Sequence, residues 1–286
     1  MKYGVIDVGS NSVRLMLSDG KSTFYKTVKT TQLAEKLVEN NFLLPQAIER
    51  TVKAVYFFNE MAKKDGAEKV FVFATAGVRQ AQNGDEFIES VKQVCGLSVD
   101  VVSGEQEAFY GISGALNGAD GGVLDVGGAS TELIAVHCGK VVYSKSIAIG
   151  AVRLKDVCGQ DRLKAENFIL EKIKEFGVLP KTNLIAIGGS ATSIASMLQS
   201  LEPYDPNKVD GYVVGIDHLG ELIDKLYSLS IEERKKLKGL QPERAEVIAG
   251  GCLIVYLIAK AVGVCEIMIS EKDNLEGYLK VKMEKL

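Results

Sequence analysis

The feature that most constrains this chain is a pattern that it carries twice. Displacing the sequence by 118 positions (125 − 7) lays Asp7 on Asp125, Val8 on Val126, Gly9 on Gly127, Ser12 on Ser130 and Leu15 on Leu133. Each copy reads as an apolar strand, a loop of small residues and a second strand. The second strand alternates through Leu15 and Leu17, or Leu133 and Ala135, towards Gly20-Lys21 or Gly139-Lys140. In the second copy, Val123, Leu124 and Val126 suit a buried strand, and Gly127, Gly128 and Ala129 carry too little side chain to keep backbone N–H groups from an anion. Asp125 closes the strand, where a carboxylate can hold a cation against a phosphate. A single glycine loop reads equally well as a tight turn with no ligand. Duplication with the flanking strands favours two related half-domains, each with a phosphate-holding hairpin, facing one cleft.

Composition narrows the classes. The chain has 286 residues, enough for two domains, and its 34 basic against 37 acidic residues leave a net charge of −3. No global positive field exists to collect nucleic acid, so a polyanion must be held by local Arg, Lys, backbone N–H groups and metal. Cys95, Cys138, Cys158, Cys252 and Cys265 lack the spacing of a zinc site or a disulfide framework. They read as buried, reduced thiols of a cytoplasmic protein. The apolar run Cys252 to Ala259 is too short for a membrane span, and a strand beginning within three residues of Met1 leaves no room for a signal peptide.

The pattern predicts three strands in the first half up to Val28, then a helix from Pro45 that stops at Gly66. A strand follows over Val70–Phe73, with a short helix ended by Gly96 and a strand over Val99–Val102. A helix from Glu105 to Asn117 places a domain boundary near Gly118. The second half repeats three strands over Gly122–Asp125, Thr131–Val136 and Val141–Lys145. A helix over Asp161–Phe176 and a strand over Leu184–Ile187 come next, then helices from Asp217, Ser230 and just after Pro242, and a strand over Glu266–Ser270. The expected class is α/β, with mixed sheets flanked by helices. The domains expected are residues 1–118 and 119–286, with the C-terminal helix crossing back onto the first. The basic run Arg234-Lys-Lys-Leu-Lys238 reads as a solvated helix face.

Asp7-Val-Gly-Ser-Asn-Ser-Val-Arg-Leu15 and Asp125-Val-Gly-Gly-Ala-Ser-Thr-Glu-Leu133 resemble the two phosphate motifs of the exopolyphosphatase/guanosine pentaphosphate phosphohydrolase family, within the actin-like ATPase superfamily. Further matches follow in family order: Ala74-Thr-Ala-Gly-Val-Arg-Gln-Ala-Gln-Asn83, Ser103-Gly-Glu-Gln-Glu-Ala108, Gly150-Ala-Val-Arg-Leu154, Gly188-Gly-Ser-Ala-Thr192 and Glu243-Arg-Ala-Glu-Val-Ile-Ala-Gly250. The resemblance covers essentially the whole chain, in the short form without a C-terminal helical domain. It implies duplicated actin-like (ribonuclease H-like) half-domains with a cleft between them.

It also implies roles for particular residues. Glu107 would be the carboxylate that activates water, with Glu105 as its neighbour and competitor. Gly9, Ser10, Asn11 and Ser12, with Gly127, Gly128 and Ser130, would hold phosphate; Thr75 and Arg79 would add donors. Arg14 and Arg244 match positions close to bound guanosine phosphates in relatives. Gly188 and Gly189 match the loop that approaches a nucleotide, at a helix N-terminus able to hold an anion. Asp125, Asp7 and Glu132 are the candidate ligands for Mg²⁺. The expected ligand is polyphosphate or guanosine pentaphosphate or tetraphosphate, with no nucleic acid and no membrane, and with a homodimer as the candidate assembly. Two other readings stay open: an ATP-binding kinase or ATPase of the same superfamily, and a weakly active guanosine tetra- or pentaphosphate sensor. The chain departs from the family pattern at Gln106, Ala129 and Leu275, where relatives carry a carboxylate, a glycine and an arginine.

Overall fold

A computed structural model describes residues 1–116 and 118–284. The chain forms two compact units, one of Met1–Glu107 with the residues from Leu275 on, the other of Ala108–Asn274.

In the first unit, β1 (Tyr3–Val8), β2 (Ser12–Ser18), β3 (Thr23–Thr30), β4 (Lys69–Ala74) and β5 (Val99–Val101) form one sheet in the order β3-β2-β1-β4-β5. β1, β2 and β3 pair antiparallel as two successive hairpins, while β4 and β5 add parallel on the other side. The central strand is buried along its whole length, and Val5, Ile6 and Val8 make that burial favourable. The helix Pro45–Lys64 covers one face. Pro45 sits in its first turn, where the missing N–H costs no helical bond, and Ile48, Val52, Val55, Phe58 and Ala62 recur at helical spacing on the buried side.

The second unit repeats this plan with β6 (Gly121–Val126), β7 (Thr131–His137), β8 (Lys140–Ile147), β9 (Leu184–Ile187), β10 (Val213–Gly215) and β11 (Glu266–Ile269). Its order is β10-β11-β9-β6-β7-β8. The antiparallel β6-β7-β8 and the parallel β6-β9-β11 correspond to the first sheet strand for strand. β10, an antiparallel strand on the β11 edge, has no counterpart in the first sheet, and the sequence reading does not contain it. The helix Ile248–Val262 is apolar nearly all round and lies inside the core of this unit.

Several expectations change. The division falls between Glu107 and Ala108, inside the helix Gly104–Ala115, eleven residues (118 − 107) before the boundary expected near Gly118. The physical reason is Ala108, which is buried with Leu116, Val123, Ile134 and Ile187 in a cluster of the second unit. Asn117, the expected end of that helix, lies outside the described residues. The sequence reading contains neither of the short helices Ala76–Gln80 and Ala151–Cys158. Arg234 is not on a solvated face: it is 2% exposed, with Nε donating to Leu226 O at 2.6 Å and its guanidinium over the Tyr227 ring. Of the thiols, Cys158 and Cys252 are buried as expected, while Cys138 and Cys265 are exposed. Among the described residues no helix is long and apolar enough to cross a membrane.

The helix Asn274–Met283 carries the chain back into the first unit, through contacts that are specific. Tyr278 stacks on Phe73 at 4.5 Å between ring centroids, and its hydroxyl donates to Asp100 Oδ2 at 2.6 Å. Lys26 pairs with Glu276 at 2.8 Å. Tyr278→Ala removes the buried ring that anchors this helix and should cost about 3–5 kcal/mol in urea denaturation. It should also open the segment after residue 273 to limited proteolysis; an unchanged midpoint would show that the helix is held by other contacts.

Candidate active site

The two hairpin loops have the same construction. Gly9 N–H donates to Ser12 O at 3.0 Å, and Gly127 N–H donates to Ser130 O at 3.0 Å. The flanking pairs match as well, Val8 opposite Val13 and Val126 opposite Thr131. In each loop the carbonyl oxygens are the groups tied to the rest of the unit. Ser10 O accepts from Ala34 N–H at 2.9 Å, and Asn11 O accepts from Thr31 and Gln32 N–H at 3.0 and 2.8 Å. In the second loop Gly127 O accepts from Ala151 N–H, and Gly128 O accepts from Val152 and Arg153 N–H, at 2.9 to 3.0 Å. These donors are the first amides of the helix Ala151–Cys158, which have no carbonyl within their own helix. A peptide whose carbonyl is held on one side presents its N–H on the other, so both loops offer amides for an anion. Ala129 keeps φ outside the left-handed region, so the third-glycine departure is tolerated by the backbone.

Gly150 makes this contact possible. A Cβ there would lie 2.4 Å from Gly128 C and 2.5 Å from Ala129 N, which are backbone atoms unable to step aside. Arg153 completes the support, its Nε donating to Ala129 O at 3.0 Å, and burial pulls its pKa below the ordinary arginine value. Sequence reasoning saw Gly150-Ala-Val-Arg-Leu154 as a matching motif without finding this role.

The repeats diverge at the strand ends. Asp7 is paired across β1 and β2 with Arg14, whose Nε donates to Asp7 Oδ2 at 2.9 Å in an ion pair that buries the carboxylate. At the equivalent place in β6 and β7, Asp125 is opposite Glu132, two carboxylates facing one another across the ladder. Glu132 is 1% exposed and accepts from Ser146 Oγ at 2.6 Å; Asp125 Oδ2 accepts from Asn274 Nδ2 at 2.8 Å. Like charges directly opposite are unfavourable, and an all-oxygen donor set of this kind fits a hard divalent cation. The first copy therefore pairs its aspartate with an arginine, whereas the second sets two carboxylates opposite one another. Asn274 was missed by sequence reasoning, because nothing local connects it with a residue 149 positions away.

Glu107 is 6% exposed in the helix Gly104–Ala115. Arg79, from the helix Ala76–Gln80, donates from Nη1 to Glu107 Oε2 at 3.2 Å and to Val102 O at 2.6 Å. Nε and Nη2 are further donors of the same guanidinium. Thr75 is buried at the start of that helix. Glu105 is exposed, and Gln106 exchanges bonds with Ser103 as a capping pair: Ser103 N–H donates to Gln106 Oε1 at 2.9 Å, and Gln106 N–H donates to Ser103 Oγ at 3.1 Å. The departure at Gln106 thus secures the helix that presents Glu107.

Gly188 and Gly189 begin the helix Gly188–Leu198 directly after β9. A Cβ on Gly188, whose φ is +80°, would lie 2.6 Å from Asp125 Oδ1; one on Gly189 would lie 2.1 Å from Arg244 Nη1. Asp125, this helix N-terminus and Arg244 therefore meet within the second unit. Leu275 is fully buried and stands among the residues of the first unit.

Two mixed α/β sheets with the same strand plan, each carrying an amide-presenting hairpin loop, define the fold, which is that of solved Ppx/GppA proteins. Within that class the chain belongs to the Ppx/GppA phosphatase family, whose family model matches residues 17–286. It is 30% identical over 309 aligned positions to a bifunctional 3-dehydroquinate synthase/phosphatase of Fusobacterium nucleatum; 96% of this chain takes part, spanning 45% of that relative's length. It is 27% identical to exopolyphosphatase 2 of Mycobacterium tuberculosis, over 96% of this chain and 97% of the relative. The crystal structure of the Aquifex aeolicus Ppx/GppA family member superposes with a TM-score of 0.80 at 29% identity, covering 100% of this chain and 98% of that one.

The divergent strand ends give opposite expectations. Arg14→Met should cost on the order of 2 kcal/mol in chemical denaturation, because it strips charged hydrogen bonds from a buried carboxylate. Glu132→Gln in the presence of a chelator should leave stability unchanged or raise it. A loss at Glu132 matching that at Arg14 would mean that the second pair is neutralised by the protein itself.

Proposed function

We propose that this chain is a phosphohydrolase that releases the terminal phosphate of inorganic polyphosphate, and that guanosine pentaphosphate, through its 5′-γ-phosphate, is a second substrate of the same chemistry. The observation that carries the reading is the shared construction of the two loops, with carbonyls fixed and amides available for a chain of phosphates. Family membership and the relation to an exopolyphosphatase support the choice of substrate.

Glu107 is the general base. Arg79 at 3.2 Å holds its orientation, and as a carboxylate Glu107 takes a proton from water. The water oxygen attacks the terminal phosphorus, the bridging P–O bond breaks, and the shortened chain leaves with the electron pair of that bond. In the first unit Arg79 Nε and Nη2 with the Ser10 and Ser12 hydroxyls, and in the second the Ser130 hydroxyl with the loop amides, are donors suited to non-bridging oxygens, where charge is spread as the phosphoryl group transfers. Asp125 and Glu132 are the residues that would hold Mg²⁺, which when bound offsets phosphate charge. Asp7, already paired with Arg14, serves to brace the first loop. Arg244, beside Gly189 at the N-terminus of the helix Gly188–Leu198, is suited to an anionic group of a guanosine phosphate.

The test is phosphate release measured side by side on long polyphosphate, tripolyphosphate, guanosine pentaphosphate and ATP. Polyphosphate should be turned over fastest. Glu107→Gln should lower that rate by about 10²–10⁴-fold with an unchanged melting temperature. Release confined to ATP, or near-native release by the Gln variant, would sink the reading. Asp125→Asn should in addition raise the Mg²⁺ concentration needed for half-maximal release, and an unaltered requirement would remove Asp125 from the metal site.

A further inference from the structure

We propose that Asp120, His137 and Cys138 form a binding site for a divalent cation of the zinc class, at the end of the second sheet remote from the phosphate loop. One ligand atom from each, a carboxylate oxygen, an imidazole nitrogen and a thiol sulfur, lies within 4.8 Å of the other two. Zinc, cobalt and nickel ions favour such mixed nitrogen, sulfur and oxygen sets, whereas Mg²⁺ favours oxygen alone. Three protein ligands leave a fourth position for water.

The backbone explains how consecutive residues come to share a site. Neighbouring side chains along a strand point to opposite faces, which would separate His137 from Cys138. The chain instead turns at Cys138-Gly139, between His137 and its pairing partner Lys140, with φ of +51° and +69° at the two turn residues. A two-residue turn of this kind ordinarily takes Asn, Asp or Gly at its first position, because other side chains resist positive φ. A cysteine there is unfavourable for the turn as such, and its thiol is exposed beside a histidine and a carboxylate.

Asp120 is already fixed. Its Oδ2 accepts from Cys138 N–H at 2.6 Å, its Oδ1 accepts from Gly139 N–H at 3.0 Å, and His137 Nδ1 is 3.5 Å from Oδ2. A carboxylate has about four lone-pair directions, so two amide bonds leave room for a cation. Five steps along the chain (125 − 120) carry Asp120 to Asp125, about 17 Å at strand rise, so this ion is independent of the one proposed at Asp125 and Glu132. Sequence spacing gave no sign of it, because Asp120 joins the other two only through the pairing of β6 with β7.

The experiment uses the full chain, reduced and freed of metal, titrated with Co²⁺ and then with Zn²⁺ by calorimetry. One equivalent of Co²⁺ should produce a thiolate-to-cobalt charge-transfer band that Zn²⁺ displaces. Cys138→Asn, which installs a residue favoured by the turn and so should fold at least as well, should abolish the band. His137→Gln should weaken Zn²⁺ binding by about tenfold or more. Cys265→Ser, removing the other exposed thiol, should change nothing. No band in the native chain, a band that survives Cys138→Asn, or a band lost with Cys265 would each overturn the proposal.

Discussion

Everything at the candidate site depends on which end of the loop peptides is held. An amide N–H is useful to an anion only if it is directed outward and left uncommitted, and a flexible glycine loop does neither by itself. In this protein the segments after each hairpin supply N–H donors to the loop carbonyls: Ala34, Thr31 and Gln32 in the first unit, and Ala151, Val152 and Arg153 in the second. The peptides are thereby oriented before any ligand arrives. Electrostatic stabilisation of a phosphoryl group works best with donors that need no rearrangement at the moment of reaction.

The duplication explains why two loops exist, and their divergence explains why they are not equivalent. The first hairpin spends its strand-end aspartate on an internal ion pair with Arg14, which braces the loop entrance. The second opposes two carboxylates, braced by Ser146 and Asn274. The two copies of one hairpin thus differ at the strand end, an acid–base pair in one unit and two opposed carboxylates in the other. The buried Glu107, paired with Arg79, is a third arrangement.

Much of the fold was legible because periodicity and punctuation are local. The hairpin strands, the helix opened by Pro45 and the repeat of 118 positions all follow from neighbouring residues. Features that depend on tertiary partners were not legible. The unit boundary moved to Glu107 because Ala108 finds its apolar neighbours in the second unit, and Arg234 is buried because Leu226, Gln160 and Tyr227 surround it. The same holds at the site. The loops and Glu107 were readable in motifs, whereas Arg14 on Asp7, Asn274 on Asp125 and Arg153 on Ala129 exist only once strands have paired and helices have packed. Gln106 and Ala129, which looked like losses, are accommodated by a helix cap and by an ordinary backbone conformation.

The central claim, that preoriented loop amides hold phosphate, is tested most directly by backbone amide NMR during titration with tripolyphosphate. The amides of Asn11, Gly128 and Ala129, which follow held carbonyls, should shift and saturate as ligand is added. The ³¹P resonances of the bound ligand should move in step with them. Shifts confined to exposed lysines, with those loop amides unmoved at saturation, would contradict the account.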